Sequence, residues 1–376
     1  METPSSSSNH LTELPSPRNP PPNYLLHTSS LISLFLYSRK QHVWMLFLFK
    51  MFNSLLKQQY VYAYFLTLHI LFSALNACTA AINHHQTSHL QCAANEFALR
   101  HENGSSFCHS LLSCGDIAQM KPVKLLARGV VKNIWLMQWQ QGDSATQPLV
   151  LSKLGNPQFR EDFEANRANL LHFRGHPRVS QLWGSCGRDT IFSAYRPHGN
   201  ALNLPLLFAR HHITAPVDRF SLCLDYAQII ALLHRHSMVM CDSNSLEKTL
   251  TQYLLDDHFQ LILNDLDALP RLEERTRTTK CGHREVTGDL VAPEQRWPHQ
   301  EHPFNDSLMP AYTEKVDIWK VPDVCHWILG RSSPPLPSLA RHLLHYIHSQ
   351  CKLTDPRTRP TAEDVLRFYK LIYCLL

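Results

Sequence analysis

Two acidic residues that follow short apolar runs constrain this chain most, and both lie in the stretch 232–267. An apolar helical run is followed by a predicted short strand, Met238–Met240, which leads into Asp242. A predicted strand pair around Asp256–Asp257 then leads to Asp265, about two dozen residues after Asp242. Phosphoryl transfer uses such a pair of carboxylates, one to orient a hydroxyl group and one to bind Mg²⁺. This stretch is therefore the first candidate for a functional site.

The composition is that of a globular protein. The 376 residues are 44% hydrophobic and 10% aromatic and carry a formal net charge of +5, which is enough apolar material for a sizeable core. The length allows two to three domains. Lysine and arginine do not form runs with interleaved aromatic residues, so nucleic acid is not an expected partner.

The N-terminal part predicts a membrane anchor. Residues 1–30 are rich in Ser, Pro and Asn and are expected to be disordered, as part of a cytoplasmic segment over 1–59. Residues 60–81 are apolar and match the roughly 20 residues that span a bilayer. The basic residues Arg39, Lys40, Lys50 and Lys57 precede them, which predicts a single signal-anchor with the C-terminal part in the lumen. A cleaved signal peptide or a buried core helix are the alternatives, and Met51 offers an alternative start.

Residues 82–121 form the next predicted segment, a luminal linker that contains Cys92, Cys108 and Cys114. The chain has 11 cysteines, and in an oxidising compartment one or two disulfides are expected among those of the linker. Cys223 and Cys374 lie in apolar helical runs and are expected to be buried free thiols.

Two Asn-X-Ser sequons, at Asn103 and Asn305, are predicted glycosylation sites. Each pattern alone is common by chance, but a luminal topology makes both consistent with one compartment.

Residues 122–376 predict a two-lobed α+β domain, with strands first and helices afterwards. A strand, a tight turn and a second strand are expected over 125–136, followed by a strand at 149–153. A helix is expected over 156–173, two strands around 181–183 and 191–195, and a helix over 218–234. The remainder is expected to be mainly helical with Pro-rich connections.

The order of motifs in this domain resembles that of the eukaryotic protein kinases. Residues 233–242 (LHRHSMVMCD) are similar to the kinase run that ends in His-Arg-Asp, and 291–294 (VAPE) to the Ala-Pro-Glu that closes the activation segment. Asp317 and Trp319 match the Asp-X-Trp start of the central helix of the C-terminal lobe. Arg359 matches a late Arg-Pro element and is expected to pair with Glu294. Four motifs in the right order indicate a kinase-like fold.

Further segments resemble one atypical family of kinases, the protein O-mannose kinases: 240–244 (MCDSN), 248–255 (KTLTQYLL) and 264–270 (NDLDALP). This resemblance implies a luminal enzyme of the endoplasmic reticulum membrane that is single-pass and type II. It implies ATP and Mg²⁺ or Mn²⁺ as cofactors. The implied acceptor is the 6-hydroxyl of an O-linked mannose, in a GalNAc-GlcNAc-mannose trisaccharide on a glycoprotein such as α-dystroglycan.

Asp242 stands where the kinases have the carboxylate that accepts or orients the acceptor hydroxyl. A helix or turn cap is the alternative role for an Asp before Ser-Asn. Lys248 is a candidate for the lysine that contacts the transferred phosphate, with a solvated lysine as the alternative.

Asp265 stands at the metal-binding position of the kinase Asp-Phe-Gly motif, and Asp267 replaces its glycine, as a further metal ligand or an exposed turn acid. The kinase metal-binding Asn falls at Glu247 by simple spacing. An insertion of five residues would place Gln252 there instead.

The expected phosphate-binding loop retains one of its three glycines, Gly129, with Lys132 at the third position. Lys132 or Lys153 is the candidate for the lysine that contacts the phosphates, with Lys132 slightly preferred. Asp162 or Glu161 is expected to pair with it. Tyr195 is expected at the nucleotide site, and Asp289 and Arg296 could line a glycan groove.

His342, His345 and His348 recur every third residue, and a solvated helical face is preferred for them over a metal site. Cys281 and its neighbours Gly282 and His283 are expected to be structural. Cys241 replaces the arginine that ties the catalytic loop to a phosphorylated activation segment, so control by such phosphorylation is not expected.

Three hypotheses follow. The preferred one is an active luminal glycan kinase. The second is a pseudokinase that binds nucleotide or glycan, which the lost glycines, Cys241 and the missing Asn favour. The third, a cytosolic Ser/Thr kinase, conflicts with the predicted anchor and sequons.

Overall fold

The computed structural model describes residues 73, 77–78, 92–93, 95–100, 105–141, 145–299, 301–330 and 335–376. All of them lie in one compact unit, 71–376. No helix within these ranges is long and apolar enough to cross a membrane. The predicted segment 1–59 and the sequon at Asn103 lie outside the described residues, and of the predicted span 60–81 only Ser73, Ala77 and Cys78 are described.

The N-terminal lobe contains an antiparallel sheet of five strands. The strands are β3 (Met120–Arg128), β4 (Lys132–Gln141), β5 (Ala145–Leu154), β6 (Leu182–Cys186) and β7 (Thr190–Ala194). Their order in the sheet is β3-β4-β5-β7-β6. Apolar side chains alternate with glutamines in the second half of β4, where Met137 and Trp139 are buried and Gln140 is exposed.

A hairpin covers part of this sheet. It consists of β1 (Glu96–Arg100) and β2 (Ser106–Ser110), which pair antiparallel. Phe97 stacks on Trp183 at 4.9 Å, and His109 meets Trp139 edge-on at 5.0 Å. The predicted linker therefore includes a hairpin that is packed into the core of the lobe.

One helix, α1 (Arg160–His172), crosses between β5 and β6, after a 3₁₀ turn at Pro157–Phe159. Phe163, Asn166 and Leu170 are its buried residues. Their spacing of three and four places them on one face of the helix. That face carries both apolar side chains and an amide, which is the pattern of a helix that contacts a polar site.

The second lobe is mainly helical. Its elements are α2 (Leu204–Arg210), α3 (Pro216–Arg235), α4 (Leu246–Thr251), β8 (Tyr253–Leu255), β9 (Leu261–Leu263), α5 (Lys315–Leu329), α6 (Ser338–Cys351) and α7 (Ala362–Tyr373). The central helix, α3, is buried over most of its length, and α5 and α7 pack against it. The short hairpin of β8 and β9 lies beside it. A sheet lobe followed by a helical lobe fits the kinase-like fold predicted above.

The strand pair around Asp256–Asp257 is confirmed, since these residues form the turn between β8 and β9. The predicted strand Met238–Met240 is wrong. Only Met238 forms an isolated bridge, with Arg271, because Val239 and Cys241 donate to the carbonyls of Pro270 and Ala268 in single hydrogen bonds that do not form a regular ladder.

The described residues contain five disulfides, and one free cysteine, Cys351, which is buried. The pairing inside the predicted linker is Cys92–Cys108. The expectation of free thiols was wrong for both residues concerned, because each meets a distant cysteine in the folded chain. The other pairs are Cys78–Cys374, Cys114–Cys186, Cys223–Cys325 and Cys241–Cys281.

The histidine triplet lies on α6. His342 and His345 are exposed, as expected of a solvated face. His348 differs, because it is partly buried and its Nε2 lies 2.7 Å from the hydroxyl of Tyr369 on α7.

Candidate active site

A buried ion pair holds the loop that carries Asp242. Asp317 and Lys320, one turn apart on α5, are 0% and 1% exposed and lie 3.1 Å apart. Asp317 accepts a hydrogen bond from the backbone N–H of Met240. Lys320 donates to the carbonyl of Met240 and to the hydroxyl of Ser243. Helix α5 therefore fixes Met240 and Ser243, which lie on either side of Asp242 in the chain.

Neighbouring charges keep the ion pair of Asp317 and Lys320 ionised. Burial alone would raise the pKa of Asp317, but Lys320 and His234, whose Nε2 is 3.2 Å from Asp317 Oδ2, hold that pKa below its usual range. A buried charge is stable only when it is paired and hydrogen-bonded. Sequence reasoning identified Asp317 and missed Lys320. Its signal was a lysine within the otherwise apolar segment Ile318–Pro322.

Asp242 lies in the loop beside Lys248. Lys248 Nζ is 2.6 Å from Asp242 Oδ2, and both side chains are partly exposed. The short helix α4 makes this contact possible, because it begins at the cap Ser245, whose hydroxyl accepts from the Lys248 N–H, and turns the chain back toward the loop. The predicted insertion is this helix.

Gln252 follows the last residue of α4 and contacts both Asp242 and Asp265. It is 1% exposed, and its Nε2 donates to the carbonyl of Lys248 and lies 3.5 Å from Asp242 Oδ2. Its backbone carbonyl accepts from the N–H groups of Asn264 and Asp265. Within the described part of the chain its side-chain oxygen, Oε1, is buried without a hydrogen-bond partner. Such an orphaned acceptor is unusual in a folded protein.

Three carboxylates converge here. Oxygen atoms of Asp242, Asp265 and Asp267 all lie within 4.8 Å of one another. Asp265 and Asp267 lie two and four residues after the end of β9, whereas Asp242 comes from the loop held by α5. This arrangement brings the two acids identified at the outset into one site, with Asp267 as a third.

Lys132, at the start of β4, reaches the same acids. Its Nζ lies 2.6 Å from Asp265 Oδ1 and 3.5 Å from Asp267 Oδ2. Burial would lower the pKa of Lys132, but the two carboxylates outweigh burial and raise it. Burial likewise opposes ionisation of Asp265, yet Lys132 holds the pKa of Asp265 below its usual value. Burial, and then the charge of Asp265, raise the pKa of Asp267 to about 7.

The structure brings Lys132, and not Lys153, to the acids. Lys153 is exposed on β5, while its neighbour Ser152 is buried. The expected pairing of this lysine with Glu161 or Asp162 was wrong. Both of these acids are exposed in the first turn of α1, and Lys132 is satisfied by Asp265 and Asp267 instead.

The turn before Lys132 is tight. The N–H of Gly129 donates to the Lys132 carbonyl at 2.9 Å, and a Cβ at position 129 would come within 3.3 Å of the same oxygen. Tyr195 follows β7 directly and is partly buried. Both residues keep their candidate roles at a nucleotide site.

Arg359 forms a bidentate pair with Glu294, with N–O distances of 2.6 and 2.8 Å. Arg359 is 2% exposed and its guanidinium also lies over the ring of Trp319. Planar bidentate pairs of this kind are among the stronger charged contacts. This pair anchors the end of the segment 268–294 to the helical lobe.

The loop of Asp242 and the segment 268–294 are also joined directly. Cys241 forms a disulfide with Cys281. Gly288, at a φ of 146°, passes so close to the carbonyl of Asn244 that a Cβ would lie 2.2 Å from its oxygen, so only glycine fits. Cys281 is thus structural, as expected, but through a covalent bond that the sequence did not predict.

The two residues predicted to line a glycan groove are accessible. Asp289 and Arg296 are exposed, and Asp289 Oδ1 accepts a hydrogen bond from the N–H of Leu246 at the start of α4.

The sequon residue Asn305 is also exposed, and its Oδ1 accepts hydrogen bonds from the N–H and hydroxyl of Ser307.

The residues present fit a divalent metal ion. Carboxylate and amide oxygens are the ligands that Mg²⁺ and Mn²⁺ prefer. Asp265, Asp267 and the unpartnered Oε1 of Gln252 supply them, with Asp242 on the same side. With a metal bound, the three acids would be neutralised more completely than by Lys132 and Lys248 alone.

Comparison with known proteins places the chain among relatives of known type. No protein-family model matches it. A protein O-mannose kinase of Macaca fascicularis is 40% identical over 275 residues, which cover 70% of this chain and 76% of the relative. The one of Gallus gallus is 40% identical over 279 residues, covering 72% and 77%. The one of Homo sapiens is 39% identical over 275 residues, covering 70% and 76%.

The relatives are 39–40% identical over most of both chains, and this agrees with the two-lobed fold. It also agrees with the site, in which three carboxylates lie close together and pair with two lysines. The chain therefore belongs to the protein O-mannose kinase family, and it is a kinase, a phosphotransferase that acts on an alcohol group.

Proposed function

We propose that this kinase transfers phosphate from ATP, with Mg²⁺ or Mn²⁺, to the 6-hydroxyl of an O-linked mannose. The proposed acceptor is a GalNAc-GlcNAc-mannose trisaccharide on a glycoprotein such as α-dystroglycan. The names of the relatives support O-linked mannose as the acceptor. A sugar 6-hydroxyl is an alcohol nucleophile like that of serine, so the same pair of acids serves.

One observation carries the proposal: Asp242, Asp265 and Asp267 share one site with the orphaned oxygen of Gln252. A site that only bound nucleotide would not need a carboxylate in the position of Asp242. The pseudokinase hypothesis is set aside for this reason and because the relatives are named as kinases.

The residues divide into three roles. Asp242 orients the acceptor hydroxyl and accepts its proton. Lys248, 2.6 Å from Asp242, places a positive charge where the transferred phosphoryl group meets the acceptor. Asp265, Asp267 and Gln252 hold the metal. When bound, the metal neutralises charge on the phosphates and aligns them. Lys132 lies on the nucleotide side and contributes a further positive charge.

The acceptor would enter from the exposed side of Asp242. Asp289 is tied to the start of α4 and Arg296 follows the segment end at Glu294, and both side chains are exposed. Sugar hydroxyls bind such charged groups through directional hydrogen bonds. Asp289 and Arg296 are proposed to line the glycan groove.

A matched pair of acceptors tests the proposed chemistry. The trisaccharide is incubated with the full chain, ATP and Mn²⁺, beside the same trisaccharide with 6-deoxymannose. Phosphate is expected on the first acceptor only, with mass spectrometry placing it on mannose. Equal transfer to the deoxy acceptor, or transfer to serine peptides instead of the glycan, would contradict the proposal.

For location, we propose the endoplasmic reticulum membrane, with a single type II signal-anchor over 60–81, the kinase domain 122–376 in the lumen, and glycosylation at Asn103 and Asn305. Five disulfides among the described residues support an oxidising compartment, and Asn305 is exposed. In cells, Asn103→Gln and Asn305→Gln should each remove one endoglycosidase-sensitive mass step. A wild-type chain insensitive to endoglycosidase would contradict the luminal topology.

A further inference from the structure

Two amides of α1 hold the residue between two metal-binding acids. Asn166 Oδ1 accepts a hydrogen bond from the N–H of Leu266 at 3.0 Å. Asn169 Nδ2 donates to the carbonyl of the same residue at 2.8 Å. The N–H of Leu266 belongs to the peptide unit that follows Asp265, and its carbonyl to the one that precedes Asp267. Both peptide units between the acids are therefore fixed by one helix.

The hydrogen bond of Asn166 is buried, and that of Asn169 is partly buried. Asn166 is 4% exposed and Leu266 is 0% exposed. A buried donor or acceptor that loses its partner costs about 1–3 kcal/mol, so each amide constrains the backbone it contacts. Asn166 and Asn169 are three residues apart, which places them side by side on a helix. This spacing lets Asn166 accept from the N–H of Leu266 while Asn169 donates to the carbonyl of the same residue.

The same turn is held from the opposite side of the site. The Gln252 carbonyl accepts from the Asp265 N–H at 3.3 Å. Lys132 then contacts the side chains of both acids. The acids thus depend on three elements: α1 through the Leu266 backbone, the end of α4 through Gln252, and β4 through Lys132.

Helix α1 was expected to supply an acid that pairs with the phosphate-contacting lysine, but it contacts the backbone between Asp265 and Asp267 instead. Glu161 and Asp162 are exposed, and Lys132 is paired without them. The helix reaches the metal acids one and two turns later, through neutral amides. A neutral contact avoids adding charge beside three carboxylates.

We propose that Asn166 and Asn169 are positioning residues that place the carboxylates of Asp265 and Asp267 for metal binding, and so couple α1 to the metal site. The inference rests on the proposed metal-dependent transfer. It predicts that loss of either hydrogen bond weakens metal binding before it affects the acceptor.

The chain offers an isosteric test. Asn166→Asp keeps an oxygen that accepts from the Leu266 N–H. Asn169→Asp replaces the donor by an oxygen that faces the Leu266 carbonyl. Both substitutions add the same group to the same helix, so charge and size are matched. Mn²⁺ affinity is measured by electron paramagnetic resonance with a non-hydrolysable ATP analogue, and kcat and KM are measured with the trisaccharide.

Asn169→Asp is expected to raise the Kd for Mn²⁺ at least tenfold and Asn166→Asp by less than about threefold, with KM for the acceptor unchanged in both. Asn169→Ala, which removes the donor without adding charge, should also raise the Kd and provides the readout if Asn169→Asp does not fold. Glu164→Gln, on the other face of α1 where Glu164 pairs with Arg188, should leave the Kd unchanged.

A folded Asn169→Ala variant with the wild-type Kd for Mn²⁺ would overturn the inference, and so would equal effects of the two Asp substitutions. A wild-type chain that fails to bind Mn²⁺ would overturn it as well. A wild-type chain that binds Mn²⁺ but does not phosphorylate the trisaccharide would contradict the proposed function alone, and the Kd values would still decide the role of the two amides.

Discussion

Cys241 is bonded to Cys281, so the residue immediately before Asp242 is covalently joined to the segment that leads from Asp267 to Glu294. In the kinases that this chain resembles, the position of Cys241 holds an arginine that pairs with a phosphorylated activation segment. Here a disulfide makes the connection. The backbone N–H of Cys281 also donates to the hydroxyl of Tyr312, which fixes the far end of the link to the helical lobe.

The first prediction concerns this disulfide. The double variant Cys241→Ser/Cys281→Ser should lower kcat about tenfold or more while it lowers the free energy of unfolding by about 2–4 kcal/mol. The reason is that the loop of Asp242 loses its covalent link to the segment 268–294 and keeps only non-covalent contacts, among them those of the ion pair Asp317–Lys320. Kinetics and chemical denaturation measure the two effects.

The control is the double variant Cys92→Ser/Cys108→Ser, which removes a disulfide of the N-terminal hairpin and should lower stability with kcat retained. Phosphatase treatment of the wild-type chain should leave kcat unchanged. An unaltered kcat in Cys241→Ser/Cys281→Ser, at a temperature where the variant is folded, would contradict the assigned role.

The second prediction distinguishes the two lysines of the N-terminal lobe. Lys132→Met should lower kcat/KM for ATP by about 10²-fold or more, since it removes a positive charge aimed at the phosphates and leaves Asp265 and Asp267 without their counter-ion. Lys153→Met, at an exposed position on β5, should change kcat/KM less than about threefold. Steady-state kinetics with varied ATP decide. Comparable losses in both variants would mean that Lys153 also reaches the nucleotide.

The third prediction is a pH dependence of stability that belongs to one histidine. Burial lowers the pKa of His348 to about 3, while the unfolded chain takes up the proton near the usual value of 6.5. The unfolded state therefore binds more protons below pH 6.5, and the native state loses stability as the pH falls from 6.5 toward 3, at up to about 1.4 kcal/mol per pH unit.

His348→Gln keeps a polar group that can bond the Tyr369 hydroxyl but does not titrate, so its free energy of unfolding should fall less steeply over this pH range. His345→Gln, at an exposed position on the same helix, should retain the wild-type slope. Equal slopes in wild type and His348→Gln, measured by denaturant unfolding at several pH values, would show that His348 is not the group concerned.

Residues whose type recurs in ordered kinase motifs could be placed from the sequence. Glu294 and Arg359 are 65 residues apart, yet the motifs predicted their pairing, and the structure has it. Gln252 was also placed, since the sequence around it matches a kinase segment once an insertion is allowed. The insertion folds as the helix α4, and the sequence motifs did not predict a helix there.

Contacts set by three-dimensional proximity could not be placed. Cys223 and Cys325 are separated by 102 residues, and only the packing of α3 against α5 brings them together. The choice between Lys132 and Lys153 depended on which side chains of β4 and β5 face the acids. Asn166 and Asn169 gave no signal, because neutral amides on a helix are usually solvated.

The catalytic role of Asp242 is tested most directly by comparing Asp242→Asn with Asp257→Asn in phosphate transfer from ATP to the trisaccharide. Asp257 is an exposed acid of the β8–β9 turn and serves as the matched control. Asp242→Asn is expected to lower kcat about 10²–10⁴-fold, while Asp257→Asn is expected to retain the wild-type rate. Transfer by Asp242→Asn at the wild-type rate would contradict the catalytic role of Asp242, and no transfer by the wild-type chain would contradict the proposed activity.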